Sequence, residues 1–185
     1  MRKSALVAFA LVVAVLVALG LIVLLSASGA RSIDVHKNAY HFFNRQVVYI
    51  GVGIVVAAVA AIVDYRKWRE IPGAAWIFYG VVLVLMVLVL PQFIGHKVNG
   101  SYRWIPLGPV NLQPSELAKL ATVVIVAVWM DRLGLGVEKF LKGTIVPYAL
   151  IGAYAVLAQR EPDYGSMMVI GFAGALVMFV AGARF

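Results

Sequence analysis

The chain has 185 residues, of which 63% are hydrophobic and only 13% are charged, and its mean hydropathy is +0.96. Soluble domains average about 25% charged residues, so this composition excludes a soluble globular protein. The absence of cysteine excludes disulfides and thiolate chemistry. The formal charge of +8 comes from cations in the connections between apolar segments, where membrane topology and lipid headgroups explain them better than nucleic acid does. We therefore predict membrane lipids as partners and no nucleic acid.

Six apolar segments are long enough for a helix to cross the hydrocarbon core, which takes roughly 17–25 residues at about 1.5 Å per residue. In chain order they are residues 5–26, 46–63, 71–94, 114–130, 143–159 and 164–183. The connections between them are too short to fold as a soluble domain. The sequence therefore predicts an all-α polytopic membrane protein with about six transmembrane helices in a single membrane domain, residues 1–185.

The distribution of cations predicts the orientation of these spans. Arg2 and Lys3 precede the first span, and residues 64–69, between the second and third spans, combine three cations with two aromatic residues. Cytoplasmic loops hold an excess of Lys and Arg, so both termini are expected in the cytoplasm. The first span begins like a signal peptide, but its apolar core exceeds the roughly 7–15 residues of such a signal. We expect it to remain as a helix.

The connection after the third span is the most informative part of the sequence. Asn99-Gly100 indicates a turn, and two further prolines with Gly108 are expected to keep the following backbone irregular. Pro114 suits the first position of a helix, because its missing N–H is one that the helix would leave unpaired. The positive end of that helix would face the outside and favour a nearby anionic group.

Charged residues near the start of the fourth span allow two interpretations. Glu116 and Lys119 stand three residues apart and so share one helix face. They form either an ion pair near the headgroups, with Lys119 reaching towards water, or a polar face of a cavity that opens to the outer leaflet. Arg103 has the same ambiguity, since its planar fork suits lipid phosphates and a substrate phosphate equally.

A second polar cluster occupies residues 159–166, between the fifth and sixth spans. Pro162 explains the end of the preceding helix, and Asp163 suits the N-cap of the sixth span. The alternative is that Asp163 contributes to a cation or phosphate site beside Glu116. The histidines at positions 36, 41 and 96 show no paired metal-ligand spacing, so no metal site is predicted.

Together these motifs resemble the SEDS family, which contains FtsW, RodA and SpoVE. The matching residues are Asn99-Gly100-x-x-Arg103-Trp104-Ile105, Gly108, Gln113-Pro114-Ser115-Glu116-Leu117-x-Lys119 and Glu161-Pro162-Asp163-x-Gly165-Ser166. The segments Leu24-Leu25-Ser26-Ala27-Ser28 and Phe43-x-Arg45-Gln46 also agree with the family. The ending Val180-Ala181-Gly182-Ala183 is more similar to the FtsW branch than to RodA.

The resemblance implies a peptidoglycan glycosyltransferase that polymerises lipid II at the outer face of the bacterial cytoplasmic membrane, during cell division or elongation. The growing glycan is linked to undecaprenyl pyrophosphate, and the implied protein partner is a class B penicillin-binding protein transpeptidase. A divalent cation is the one cofactor that the resemblance leaves open. The implied substrate cavity is lined by Arg103, Trp104, Gln113, Ser115, Glu116, Lys119 and Asp163.

The chain also departs from the family pattern. The family has about ten spans, and its presumed general base is an aspartate in an external loop between the seventh and eighth. No residue here corresponds to it, so we assign no catalytic residue and expect an N-terminal portion that is inactive alone. Two alternatives stay open: a binder or transporter of lipid-linked precursors, and a membrane scaffold for a penicillin-binding protein.

Overall fold

A computed structural model describes residues 2–36, 40–64, 66–90, 96–98, 101–108 and 110–183. Each of the six predicted spans contains a helix, so the prediction of an all-α polytopic membrane fold is confirmed. The chain divides into two compact units, Met1–Ile62 and Val63–Phe185. The single membrane domain stays a prediction.

The first unit consists of two long apolar helices. They are α1 (Arg2–His36) and α2 (His41–Ile62), and each contains a segment long and apolar enough to cross a membrane, Ser4–Ser28 and His41–Ile62. Apolar side chains of both helices line a groove of about 420 Å³, to which Gln46 contributes a polar side chain. The predicted first span lies within α1, whereas α2 begins before the second predicted span does.

Within its described residues, the second unit contains five α-helices, α3 (Lys67–Glu70), α4 (Ala74–Val89), α5 (Pro114–Leu133), α6 (Val146–Arg160) and α7 (Tyr164–Val180). A 3-10 helix (Gly134–Glu138) and a π-helix (Phe140–Ile145) connect α5 to α6. The stretch Phe140–Arg160 is long and apolar enough to cross a membrane, while α4 and α7 are shorter apolar helices. The third predicted span was longer than α4, and its positions 91–94 lie outside the described residues.

The core of this unit lies where α5 packs against α4, α6 and α7. Met86, Tyr154, Ile170 and Met178 are completely buried there. A Cβ atom at Gly174 would lie only 2.5 Å from Cδ1 of Ile151. The glycine therefore lets α7 approach α6 closely, as small residues do between membrane helices.

Two tyrosines connect α4 to α6 through reciprocal hydrogen bonds. The Tyr154 hydroxyl donates to the backbone carbonyl of Tyr79 at 2.7 Å, and the Tyr79 hydroxyl donates to the carbonyl of Leu150 at 3.0 Å. Their ring centroids are 4.6 Å apart. Both hydroxyls thus find partners, as buried tyrosines require.

The connection between α4 and α5 forms a small antiparallel sheet, in the order β1 (His96–Val98), β2 (Ser101–Leu107) and β3 (Val110–Leu112). The prediction of an irregular backbone was wrong for these strands. β2 pairs with β1 through Ser101–Trp104 and with β3 through Ile105–Leu107, so Pro106 has a paired strand on one side only.

Short connections join the strands of this sheet. Gly108 adopts a φ of 70° between β2 and β3, a value that short hairpin turns require and that glycine tolerates. The turn predicted at Asn99-Gly100 falls outside the described residues.

Candidate functional site

The sheet leads directly into α5 and places two polar residues at its start. Gln113 is the extended N-cap residue, and Pro114 occupies the first turn of the helix, as predicted. Pro114 and Ser115 are both fully buried. These two residues of the first turn therefore point into the protein.

Three residues at this end of the bundle are joined by hydrogen bonds, and we call them the Asp163 cluster: Gln113, Ser115 and Asp163. The Gln113 amide donates to Oδ2 of Asp163 at 2.7 Å and to the Ser115 hydroxyl at 2.9 Å. The Ser115 hydroxyl donates to the same Oδ2 at 2.9 Å. The start of α5 is thereby fixed to the start of α7.

The other oxygen of the carboxylate caps α7. Oδ1 of Asp163 accepts a hydrogen bond from the backbone N–H of Ser166 at 3.2 Å, so the predicted capping role is confirmed. Burial alone would raise the pKa of Asp163, but hydrogen bonds from Ser166 and Ser115 and the charge of Arg103 hold that pKa below its ordinary value. Asp163 is therefore ionised at neutral pH.

Glu161 is a residue of this region that the predicted site set omitted. Only 1% of it is exposed. Burial, reinforced by the neighbouring charge of Asp163, raises the pKa of Glu161 to about 8, although the charge of Arg103 acts in the opposite direction. Two carboxylates two residues apart, in a turn between apolar spans, were the sequence signal that could have identified it.

Arg103 occupies an irregular position of β2. His96 pairs with Trp104 and Lys97 with Tyr102, so Arg103 is the extra residue of a β-bulge. Bulges redirect side chains and often occur beside functional sites. The charge of Arg103 lowers the pKa of both Glu161 and Asp163, which places the guanidinium within electrostatic reach of the two carboxylates.

Two N–H donors of β2 are buried without an acceptor. The Nε of Arg103 and the indole Nε1 of Trp104 make no hydrogen bond within the part of the chain that the structure describes. Unsatisfied buried donors are costly, and they suit an anionic or carbonyl group of a ligand.

Glu116 and Lys119 form a separate ion pair that begins in the first turn of α5. Nζ of Lys119 lies 2.7 Å from Oε2 of Glu116, with 25% and 58% of the two side chains exposed. This geometry corresponds to the ion-pair interpretation. The structure thus joins Gln113, Ser115 and Asp163 directly, and it pairs Glu116 with Lys119; a role for either group in a substrate cavity stays a prediction.

No metal-binding group emerges from the described residues. Among them, no set of three or more His, Cys, Asp or Glu side chains is placed to hold a metal ion. The side chains of His36 and His96 lie outside the described part. A divalent cation therefore stays the open alternative that the resemblance leaves.

These helices define a polytopic membrane protein with a polar cluster at one end of α5. The family described as Cell cycle protein, which comprises FtsW, RodA and SpoVE, matches residues 6–185. The chain belongs to this family.

Curated relatives have names of the FtsW branch, which agrees with the prediction from the sequence. The probable peptidoglycan glycosyltransferase FtsW of Coxiella burnetii is 37% identical over 91% of this chain and 45% of its own length. The protein of the same name in Thiomicrospira cyclica is 36% identical over 95% of this chain and 44% of its own length. The chain therefore spans less than half the length of these relatives.

Solved structures support the same fold. The Thermus thermophilus rod shape determining protein RodA superimposes with a TM-score of 0.67 at 30% identity, over 89% of this chain and 54% of RodA. A chain from a peptidoglycan synthase complex gives a TM-score of 0.66 at 30% identity, over 88% of this chain and 47% of that one.

Proposed function

We propose that this chain forms part of a peptidoglycan glycosyltransferase that polymerises lipid II at the outer face of the bacterial cytoplasmic membrane. Membership of the family and the names of the FtsW relatives support this proposal. The observation that supports it most strongly is the Asp163 cluster, which lies within electrostatic reach of Arg103 and its buried N–H donor. In the proposed orientation the N-terminus is cytoplasmic, and the cluster is at the outer membrane face.

The chemistry of glycan transfer fits these residues. A sugar hydroxyl attacks the anomeric carbon of a lipid-linked donor, and a pyrophosphate leaves with negative charge that must be compensated. Arg103 offers a guanidinium that can bind a phosphate through two parallel hydrogen bonds. Asp163 is ionised and already engaged by Gln113, Ser115 and Ser166, so we assign it the role of positioning the helix starts and not that of general base.

A chimera tests the proposal. Residues 6–185 would replace the matching segment of FtsW from Coxiella burnetii, and labelled glycan strands made from lipid II in proteoliposomes would be measured on gels. We expect polymer formation, and we expect Arg103→Ala to reduce it by about 100-fold, the effect of removing one donor that stabilises a developing anion.

The control is Arg132→Ala, which removes an exposed arginine at the other end of α5 and should leave the rate unchanged. A rate equal to wild type in Arg103→Ala would contradict the assignment of Arg103. Movement of labelled lipid II across the membrane without polymer would favour the binder or transporter instead.

A transpeptidase partner is the second part of the proposal. A solved chain similar to this one comes from a peptidoglycan synthase complex that coordinates polymerisation and crosslinking. We expect a class B penicillin-binding protein to co-purify with the chimera, also in the Arg103→Ala variant. Retained co-purification with lost polymerisation would separate the scaffold role from catalysis, and titration with EDTA in the same assay would test the predicted divalent cation.

A further inference from the structure

A groove opens at the opposite end of the second unit from the Asp163 cluster. It has a volume of about 450 Å³, within the roughly 300–1,000 Å³ typical of ligand sites. Its wall is apolar and belongs to the second half of α5, with residues Val123, Val124, Ala127 and Val128. Its rim is formed by Arg66, by Arg69 and Glu70 of α3, and by Asp131 near the end of α5.

The groove crosses the boundary between the hydrocarbon core and the headgroups. Its wall lies within the predicted span at 114–130, and its rim lies where that span ends. Trp68 also lines it and stacks against Phe78 of α4 with ring centroids 5.2 Å apart, a position typical of interfacial tryptophan. An occupant must therefore combine an apolar tail with a polar head.

The rim presents both signs of charge. Nε of Arg69 lies 2.8 Å from Oδ2 of Asp131, with 71% and 43% of the two side chains exposed. Arg66 adds a second guanidinium to the rim. Glu70 adds an exposed carboxylate beside them.

We propose that the groove binds one zwitterionic phospholipid whose headgroup holds a phosphate and a primary ammonium. The phosphate binds Arg66 and Arg69, the ammonium binds Glu70 and Asp131, and one acyl chain lies along the wall of α5. An anionic lipid without an ammonium adds an uncompensated negative charge to a rim whose two cations and two carboxylates balance, so it binds more weakly. This site is independent of the proposed glycosyltransferase function.

Native mass spectrometry of the purified chain in mild detergent tests the proposal, with phosphatidylethanolamine, phosphatidylcholine and phosphatidylglycerol added at equal concentration. We expect phosphatidylethanolamine to bind about two- to fivefold more tightly than either competitor, the range of one solvent-exposed ion pair. Glu70→Gln should abolish its advantage over phosphatidylglycerol. The matched control Lys67→Gln, in the same helix but outside the groove, should preserve it.

A second pair of variants tests the wall. Ala127→Trp fills the groove from an exposed position and should reduce binding of all three lipids, whereas Leu120→Trp, exposed on the same helix but outside the groove, should not. Equal binding of the three lipids to the wild type, or unchanged binding to Ala127→Trp, would overturn the proposal. A concentration-dependent dimer that Ala127→Trp disrupts would overturn it as well, because a second copy would then be the occupant.

Discussion

Each end of α5 is connected through an aspartate to a distant segment of the second unit. The surroundings of the two aspartates differ. At one end Asp163 is buried and accepts hydrogen bonds from Gln113, Ser115 and the N–H of Ser166. At the other end Asp131 is 43% exposed and pairs with Arg69. Buried hydrogen bonds to a charged group are worth about 1.5–3 kcal/mol, whereas exposed ion pairs give at most about 1 kcal/mol. The end of α5 at Asp163 is therefore fixed. At the other end, the Asp131–Arg69 ion pair can exchange its partners for lipid headgroups.

Removing each aspartate is the strongest test of this difference. Asp163→Ala should lower the free energy of unfolding by about 3 kcal/mol, because the buried Ser115 hydroxyl and Ser166 N–H lose their acceptor and α7 loses its cap. Asp131→Ala is the matched control and should cost less than about 1 kcal/mol. Unfolding in detergent, followed by circular dichroism, measures both, and equal losses would remove the distinction between the two ends.

Glu161 lies near Asp163, and it is expected to make the stability of this end of α5 depend on pH. Its pKa is raised from 4.5 to about 8 in the folded protein, so the folded state retains the proton where the unfolded chain has released it. The stability from this group is complete below about pH 4.5 and is lost as the pH rises through about 8. Glu161→Gln cannot ionise and should remain more stable than wild type at pH 9, by on the order of 2 kcal/mol.

Melting temperatures from pH 5 to pH 9 measure this effect. The control Glu116→Gln removes an exposed carboxylate that is paired with Lys119, and it should follow the wild-type profile. If the melting temperatures of wild type and Glu161→Gln decline equally with rising pH, another group is responsible for the pH dependence.

A smaller effect is expected at Ser115. Ser115→Ala should cost about 1–2 kcal/mol, since Asp163 loses one of its donors. Thr122→Val offers a control in the same helix. Among the described residues, the buried Thr122 hydroxyl bonds only to the Ala118 carbonyl one turn earlier, an interaction of little net value. If both variants lose the same stability, the hydrogen bond between α5 and α7 has no special role.

The smallest effect concerns salt. Raising the ionic strength from 0.1 to 1 M shortens the screening length from about 10 to about 3 Å, so the difference in stability between wild type and Asp131→Ala should disappear. The difference for Asp163→Ala should persist, because buried groups are screened much less. Repeating the unfolding measurements at both salt concentrations compares the two ends directly.

The starts of α5 and α7, which meet near Asp163, could be predicted from the sequence. A proline before an apolar run predicted the start of α5, and an aspartate after a proline predicted the cap of α7. Both depend on chemistry within one helix turn. The presence of a helix in each apolar segment was also predictable, because the hydrocarbon core sets the length of such segments.

Contacts between distant segments could not be predicted in this way. Ser115 and Asp163 are separated by 48 positions, and their hydrogen bond depends on how α5 and α7 pack. The burial of Glu161 depends on the same packing. The prolines and Gly108 predict an irregular backbone where β2 and β3 form. The prediction fails because β2 has a paired strand on only one side at Pro106, so the missing N–H of the proline disrupts no ladder.

The reciprocal hydrogen bonds of Tyr79 and Tyr154 limit how the second unit can move. Both acceptors are backbone carbonyls, and the donor–acceptor distances are 2.7 and 3.0 Å. A shift of α4 along α6 by one residue, about 1.5 Å, is large enough to distort both hydrogen bonds. The pair of tyrosines therefore opposes sliding of α4 along α6, and it is expected to keep the two helices in one register.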